Sequence, residues 1–316
     1  MEKNYVIGID LGGTKISGAL SDLDGNLIYK HTIPTNVHEG ELSILARIIE
    51  VIDKVIVGSK IKIDQIMSIG IGSPGTLNVK TGVIIAANNL PFKNFPLIEA
   101  IKQRFDLPIF LDNDANVATI GEHILGAGKG TQNMLYITVS TGIGGGAIIN
   151  GNIFRGNTDN ALGIGHTTID IDGRKCKCGN NGCIEAYSSG TAIAKLANEA
   201  INRGENTSLN NYNVVTAKEV VREAENGDGV AKRVLDFSLG HLGIYIANLI
   251  KIFDPEMIVV GGGVSMAGEI IFSKINEVIK ENCLEEIVSQ CKIIPSKLGR
   301  DAGIVGAVAL AISKSN

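Results

Sequence analysis

The sequence predicts an α/β protein in which two halves repeat one plan, each a mixed sheet flanked by helices. A strand, a glycine turn and a returning strand occur near the amino terminus and recur from Met134. Between and after them strands alternate with helices, as in a sheet covered on both faces. The 316 residues, 44% hydrophobic and 20% charged, suffice for one large or two medium domains. The division expected from the repeat is 1–120 and 121–316, with the last helix, near 301–314, packing back on the first domain. No linker or low-complexity tract marks the boundary.

Val6-Ile7-Gly8-Ile9-Asp10 reads as a buried strand, Leu11-Gly12-Gly13-Thr14-Lys15 as a turn, and Ile16 to Leu20 as the returning strand. Asp24-Gly25 turns the chain into Leu27-Ile28-Tyr29. A helix from about Glu41 to Val57, the strand Met67 to Ile71, a loop at Ser73-Pro74-Gly75, a helix near Leu97 to Arg104 and the strand Ile109-Phe110-Leu111 follow. The second meander is Met134 to Ser140, the turn Thr141-Gly142-Ile143-Gly144-Gly145-Gly146, then Ala147-Ile148-Ile149, with Asn150-Gly151 closing a hairpin. Val230 to Phe253 is a helix stopped before Asp254-Pro255, and Met257 to Val260 is a strand running into Gly261-Gly262-Gly263. A helix after Ser265 reaches about Asn282, and Asp301 to Ile312 is the last helix.

A net charge of -4 with no basic run argues against a nucleic-acid partner. No apolar run approaches the roughly 20 residues of a membrane helix. Met1-Glu2-Lys3-Asn4 leads straight into the first strand without a signal peptide, so a soluble cytoplasmic protein with no membrane partner is expected. Cys283 and Cys291 read as buried thiols of a reducing compartment.

The other three of the five cysteines crowd one segment, Cys176-Lys177-Cys178-Gly179-Asn180-Asn181-Gly182-Cys183, with His166 upstream. Three thiols and an imidazole on a glycine-broken loop fit a structural zinc site, closed to a metal-bound water. Unrelated thiols are the alternative. The glycine turns after three strands could cradle phosphate with backbone N–H groups, yet none matches the P-loop pattern or a dinucleotide Gly-x-Gly-x-x-Gly. Asp112-Asn113-Asp114, just past a strand end, suits either a helix cap or a general base.

Asp10-Leu11-Gly12-Gly13-Thr14-Lys15, Thr141-Gly142-Ile143-Gly144-Gly145-Gly146 and Cys176-x-Cys178-Gly179-x-x-Gly182-Cys183-x-Glu185 resemble the ROK family of sugar kinases, part of the actin-like ATPase superfamily. The similarity covers essentially the whole chain, through Gly261-Gly262-Gly263 to Leu298-Gly299-x-Asp301-Ala302-Gly303. The resemblance implies two actin-like (ribonuclease H-like) domains with an interdomain cleft. The first would carry the sugar and phosphate side, the second the zinc loop and nucleotide site. It implies ATP held by Asp10, Gly12, Gly13, Thr14, Lys15, Thr141, Gly142, Gly144, Gly261, Gly262 and Gly263, with Mg2+ organised by Asp10 and a structural Zn2+ on His166, Cys176, Cys178 and Cys183. Asp114 matches the family's catalytic base, and Gly75, Asn88, Asn113, His166 and Glu185 would contact a hexose. The implied activity is ATP-dependent transfer of the γ-phosphate to the sugar 6-hydroxyl, most commonly by a glucokinase of glycolysis, in a homodimer or higher homo-oligomer.

One departure stands out. Where the family usually reads Glu-x-Gly-His, this chain has Gly163-Ile164-Gly165-His166, and Asp159, Asn160 and Leu162 replace glycine and small apolar residues. The missing carboxylate would leave room for a bulkier C2 substituent, which makes an N-acetylmannosamine kinase the alternative. Rivals of another class are a sugar-sensing repressor, for which a first strand at Tyr5 leaves no winged helix, and a non-catalytic sugar-binding regulator, which would not need Asp10, Asp114 and the glycine turns.

Overall fold

A computed structural model describes residues 4–315. Met1 to Lys3, where no signal peptide was expected, and Asn316 lie outside the described residues. The chain runs β1 (Tyr5–Leu11), β2 (Lys15–Asp22), β3 (Leu27–Pro34), α1 (Glu41–Ser59), β4 (Ile66–Ser73), the short β5 (Thr76–Asn78), β6 (Val83–Ala86) and β7 (Lys93–Phe95), α2 (Leu97–Lys102), β8 (Ile109–Asn113) and α3 (Asp114–Ile124). It continues through β9 (Met134–Val139), β10 (Ile143–Ile149), β11 (Asn152–Ile153), α4 (Glu185–Ser188), α5 (Gly190–Asn202), α6 (Ala217–Glu225) and α7 (Gly229–Phe253). Then come β12 (Met257–Gly261), α8 (Glu269–Asn282), α9 (Glu285–Val288), β13 (Lys292–Pro295) and α10 (Ala302–Ser313).

Two compact units result. The first holds the chain up to Gly130, Gly146–Ala161 and the chain from Arg300; the second holds Thr131–Gly145 and Leu162–Gly299. Two five-stranded sheets follow one topology, β3-β2-β1-β4-β8 and β11-β10-β9-β12-β13, so the repeat seen in the sequence is a repeat of strand order. In each, the first strand of the meander pairs in parallel with a later strand, β1 with β4 and β9 with β12, whose other neighbour is also parallel.

In the first unit the two faces of β1 have different tasks, set by the alternation of side chains along a strand. Ile7, Ile9 and Leu11 join one core with Ile44, Ile48, Val51, Ile52 and Val55 of α1. Val6, Gly8 and Asp10 face the other way, where Val6 packs with Val308, Ala311 and Ile312 of α10. The sequence of α10, AGIVGAVALAIS, carries no charge and is apolar nearly all round, as a buried helix must be. It sits on Gly8 and Gly70: a Cβ on Gly8 would lie 2.6 Å from the Val308 nitrogen, and one on Gly70 would overlap the Ala307 carbonyl oxygen.

In the second unit Asp228 caps α7 through the Val230 and Ala231 N–H groups, and Asp254 ends it in the left-handed region at φ 42°, just before Pro255. Cys283 and Cys291 are free thiols, half-buried and buried, and burial pushes Cys291 up to about 11. The glycine turns are shorter than expected: Ile143 to Gly146 belong to β10, and only Gly12 to Thr14 separate β1 from β2. Gly145 and Gly146 are small for packing, since added Cβ atoms would overlap Ile164 and Thr119 respectively.

Gly70→Ala is expected to destabilise the protein by about 1–3 kcal/mol, because backbone rather than a movable side chain blocks the new methyl. Chemical denaturation with an unchanged midpoint would contradict this seating of α10.

Candidate active site

The strand register of the first unit brings its candidate residues to one edge. Asp10 lies opposite Gly72, and Ser73 opposite Asn113, so β1, β4 and β8 end together at their carboxyl ends, where parallel α/β sheets bind ligands. The turn after β1 is closed by the Gly12 N–H donating to the Lys15 carbonyl at 3.0 Å and held by the Thr35 hydroxyl donating to the Gly12 carbonyl at 2.6 Å. Gly13 meets the loop between β6 and β7, where a Cβ would lie 3.0 Å from the Asn89 carbonyl oxygen. Thr14 and Lys15 are exposed.

Asp10 ends the row Val6, Gly8, Asp10 and so meets the first turn of α10. A Cβ on Gly303 would lie 2.8 Å from both Asp10 carboxylate oxygens. Only glycine lets the helix terminus come this close, and a helix amino terminus favours negative charge. Burial raises the Asp10 carboxyl above its ordinary value; the Asp114 carboxylate raises it further, against the opposing pull of Lys15 and Lys30.

Asn113 is the cap of α3, its Oδ1 accepting from the Ala115 N–H at 2.9 Å. Asp114 is the first helical residue and also accepts from that N–H, at 2.8 Å. It is open to solvent yet enclosed by protein on most sides, and this desolvation raises its carboxyl despite the hydrogen bonds from Ala115 and Asn113 that lower it. Asp112 is fully buried, with Arg155 Nε donating at 2.8 Å, Asn116 Nδ2 at 2.8 Å and the Asn113 N–H at 2.8 Å. An Arg155 terminal nitrogen lies 2.6 Å from the same Asp112 oxygen as Nε.

Gly75 takes φ 110°, open to glycine alone, and a Cβ there would lie 2.8 Å from the Ala87 Cβ, next to the exposed Asn88. Asn113 Nδ2 donates to the Gly75 carbonyl at 3.4 Å. Asp10, Gly75, Asn88, Asn113 and Asp114 are thus joined through adjacent turns. Sequence reasoning missed three residues that set this arrangement. Asp112 and Gly303 stood inside quoted motifs as unassigned neighbours, while Arg155 carried no local signal because its partner is 43 positions away.

In the second unit β12 lies beside β9, with Gly261 opposite Thr138, so their glycine turns are adjacent. Val264 N–H donates to the Val139 carbonyl at 3.0 Å, and Gly262 takes φ 88°. The Thr191 hydroxyl holds the Thr141 carbonyl at 2.7 Å. Glu185 Oε2 accepts from the Ile143 N–H at 3.0 Å and abuts Gly142. Gly144 and Gly261 lie within strands, and Gly263 is open with no close contact.

His166, Cys176, Cys178 and Cys183 bring one donor atom each within 4.8 Å of one another. Cys176 Sγ is 3.7 Å from His166 Nδ1 and Cys178 Sγ is 3.6 Å from Cys183 Sγ. Sulfurs about 2.3 Å from a tetrahedral zinc stand about 3.8 Å apart, so the donor set fits. Burial first, then the neighbouring thiols, push Cys183 up to about 12, whereas the Asn180 N–H leads the groups that lower Cys178. Nearby, Gly163 has nothing within 4 Å of an added Cβ, and Leu162 occupies the left-handed region at φ 62°.

The family model described as ROK family matches residues 6–314. The glucokinase of Halalkalibacterium halodurans is 38% identical over 311 residues, covering 97% of this chain and 94% of that protein. A xylose repressor of Caldicellulosiruptor bescii is 32% identical, covering 98% of this chain and 78% of that one. A ROK family glucokinase from Streptomyces griseus, solved in complex with glucose and AMPPNP, superposes with a TM-score of 0.83 at 31% identity, covering 98% of this chain and 99% of that one.

Cys178→Ser is expected to lower bound zinc and thermal stability together, since metal binding to such a site is folding free energy. Unchanged zinc stoichiometry by atomic absorption would remove this residue as a ligand.

Proposed function

The chain belongs to the ROK family, and from that premise we propose that it is an ATP-dependent hexose kinase, a glucokinase, acting on the sugar 6-hydroxyl. Asp114 carries this reading: an accessible carboxylate with a raised proton affinity, spared from being the only cap by Asn113. It would accept the hydroxyl proton as the sugar oxygen attacks the γ-phosphorus. Asn113, Gly75 and Asn88 would orient the sugar in the first unit, and His166 and Glu185 would contact sugar hydroxyls in the second. Asp10, the Gly12 to Lys15 turn, Thr141, Gly142, Gly144 and Gly261 to Gly263 would bind the nucleotide. Asp10 would hold Mg2+, which when bound neutralises phosphate charge; two carboxylates with raised proton affinities beside one another suit a cation. His166 and the three cysteines would hold a structural Zn2+.

Two further readings have specific support. The open space at Gly163 favours an N-acetylmannosamine kinase, and the likeness to a xylose repressor supports a sugar-binding regulator without catalysis. Purified protein with ATP, Mg2+ and a hexose panel is expected to release ADP fastest with glucose. N-acetylmannosamine in the lead would transfer the proposal to that sugar, and silence with every sugar would sink it. Asp114→Asn should lower kcat by about 10²–10⁴-fold with the fold intact. The base works ionised, so kcat/KM should fall as pH drops through its pKa, at a midpoint above the ordinary 3.8. An acid limb at or below that value would remove Asp114 as the base.

A cytoplasmic homodimer completes the proposal, supported by the motif resemblance; no helix among the described residues is long and apolar enough to cross a membrane. Light scattering should give about twice the 33.3 kDa chain mass, and a monomer mass would refute the dimer.

A further inference from the structure

A cavity of about 260 Å³ lies in the first unit, lined by Ile109, Phe110 and Leu111 of β8. Its apolar surface includes Ile98 of α2 and Leu310 of α10, and its polar wall includes Lys80, Lys102, Lys314 and Arg155, with Glu99 as the one lining carboxylate. Arg155 is spent on the buried Asp112. The three lysines have no ion-pair partner among the described residues. Three ammonium groups against one carboxylate leave a surplus of two positive charges on a concave wall.

The backbone adds donors. β8 is the edge strand of its sheet, and the Ile69 N–H of β4 donates to the Pro108 carbonyl at 2.9 Å. Backbone groups alternate sides along a strand, so Pro108 and Phe110 turn to β4 while Ile109 and Leu111 direct their N–H groups outward, where the cavity lies. Ammonium groups and outward-turned N–H groups around one concavity match phosphate oxygens. The volume falls just below the roughly 300–1,000 Å³ of pockets for drug-sized ligands, too small for a nucleotide but larger than phosphate alone.

We infer that this cavity binds a small phosphate-bearing anion, with the phosphate among Lys80, Lys102 and Lys314 and any organic part on Ile98, Phe110 and Leu310. The test is calorimetric titration of the full chain with inorganic phosphate and, separately, with a hexose 6-phosphate. Lys80→Ala, Lys102→Ala and Lys314→Ala combined should weaken binding of at least one of these anions by about tenfold or more, with the ligand-free melting temperature unchanged. The same number of lysines removed elsewhere, at exposed Lys195, Lys232 and Lys280, should leave binding intact. A hexose 6-phosphate bound about tenfold more tightly than phosphate identifies the phosphorylated sugar as the ligand, and equal affinity identifies free phosphate. Identical isotherms for wild type and the cavity variant, or equal losses in both lysine variants, would overturn the site.

Discussion

The first unit depends on how closely α10 can seat against the sheet. Three parallel strands bring their carboxyl ends into line, but the chemistry at those ends is set by a helix laid on Gly8 and Gly70. Each β1 residue on that face is chosen by its distance from α10. Val6 packs, Gly8 makes room, and Asp10 arrives beneath the first turn, where Gly303 again makes room. One strand's alternation therefore decides both the packing and the position of a carboxylate. A side chain on any of the three glycines would lift the helix or push Asp10 aside, so stability and chemistry share one constraint.

The second constraint is electrostatic. Asp112 is a carboxylate with no solvent contact, tolerable because Arg155, Asn116 and the Asn113 N–H satisfy it. Those bonds fix the strand-to-helix junction, Asn113 then caps α3, and Asp114 is presented at its first position. Neighbouring carboxylates thus have opposite environments: Asp112 is neutralised by a guanidinium, while Asp114 has none and is desolvated with a raised proton affinity. A base wants the second environment and a scaffold the first.

Local patterns in the sequence carried most of the elements: the repeated meander, the strand at Ile109, the long α7 ending at Asp254-Pro255 and the last helix all lie where periodicity and breakers put them. Asn150-Gly151 adopts positive φ at both residues, 50° and 74°, as an Asn-Gly hairpin turn requires. The three-stranded β5-β6-β7 sheet was not legible, because strands of three or four residues leave too few positions for a period. Nor was the strand identity of Gly145 and Gly146, since a glycine demanded by a close neighbour looks in sequence like one demanded by a turn. Asp112 and Gly303 stood inside motifs without a role that the motif alone could assign, and Arg155, acting through a partner 43 positions away, carried no signal at all.

His166 joins the metal cluster to the rest of its unit through the chemistry of one ring. Its Nδ1 faces Cys176, while Tyr245 ties the loop on either side by donating to the Ile164 carbonyl or to the Thr167 hydroxyl, each 3.0 Å away. A zinc on Nδ1 would place the neutral ring's proton on Nε2, fixing it as a donor with a set direction. A hydroxyl accepting from that donor would then read metal occupancy through the tautomer, without any change of backbone. Gly163, three residues upstream, offers only empty space where a longer side chain could compete for the same hydroxyl. In the proposed kinase the orientation of the sugar in this unit would therefore fall to His166, held by a metal, and to Glu185.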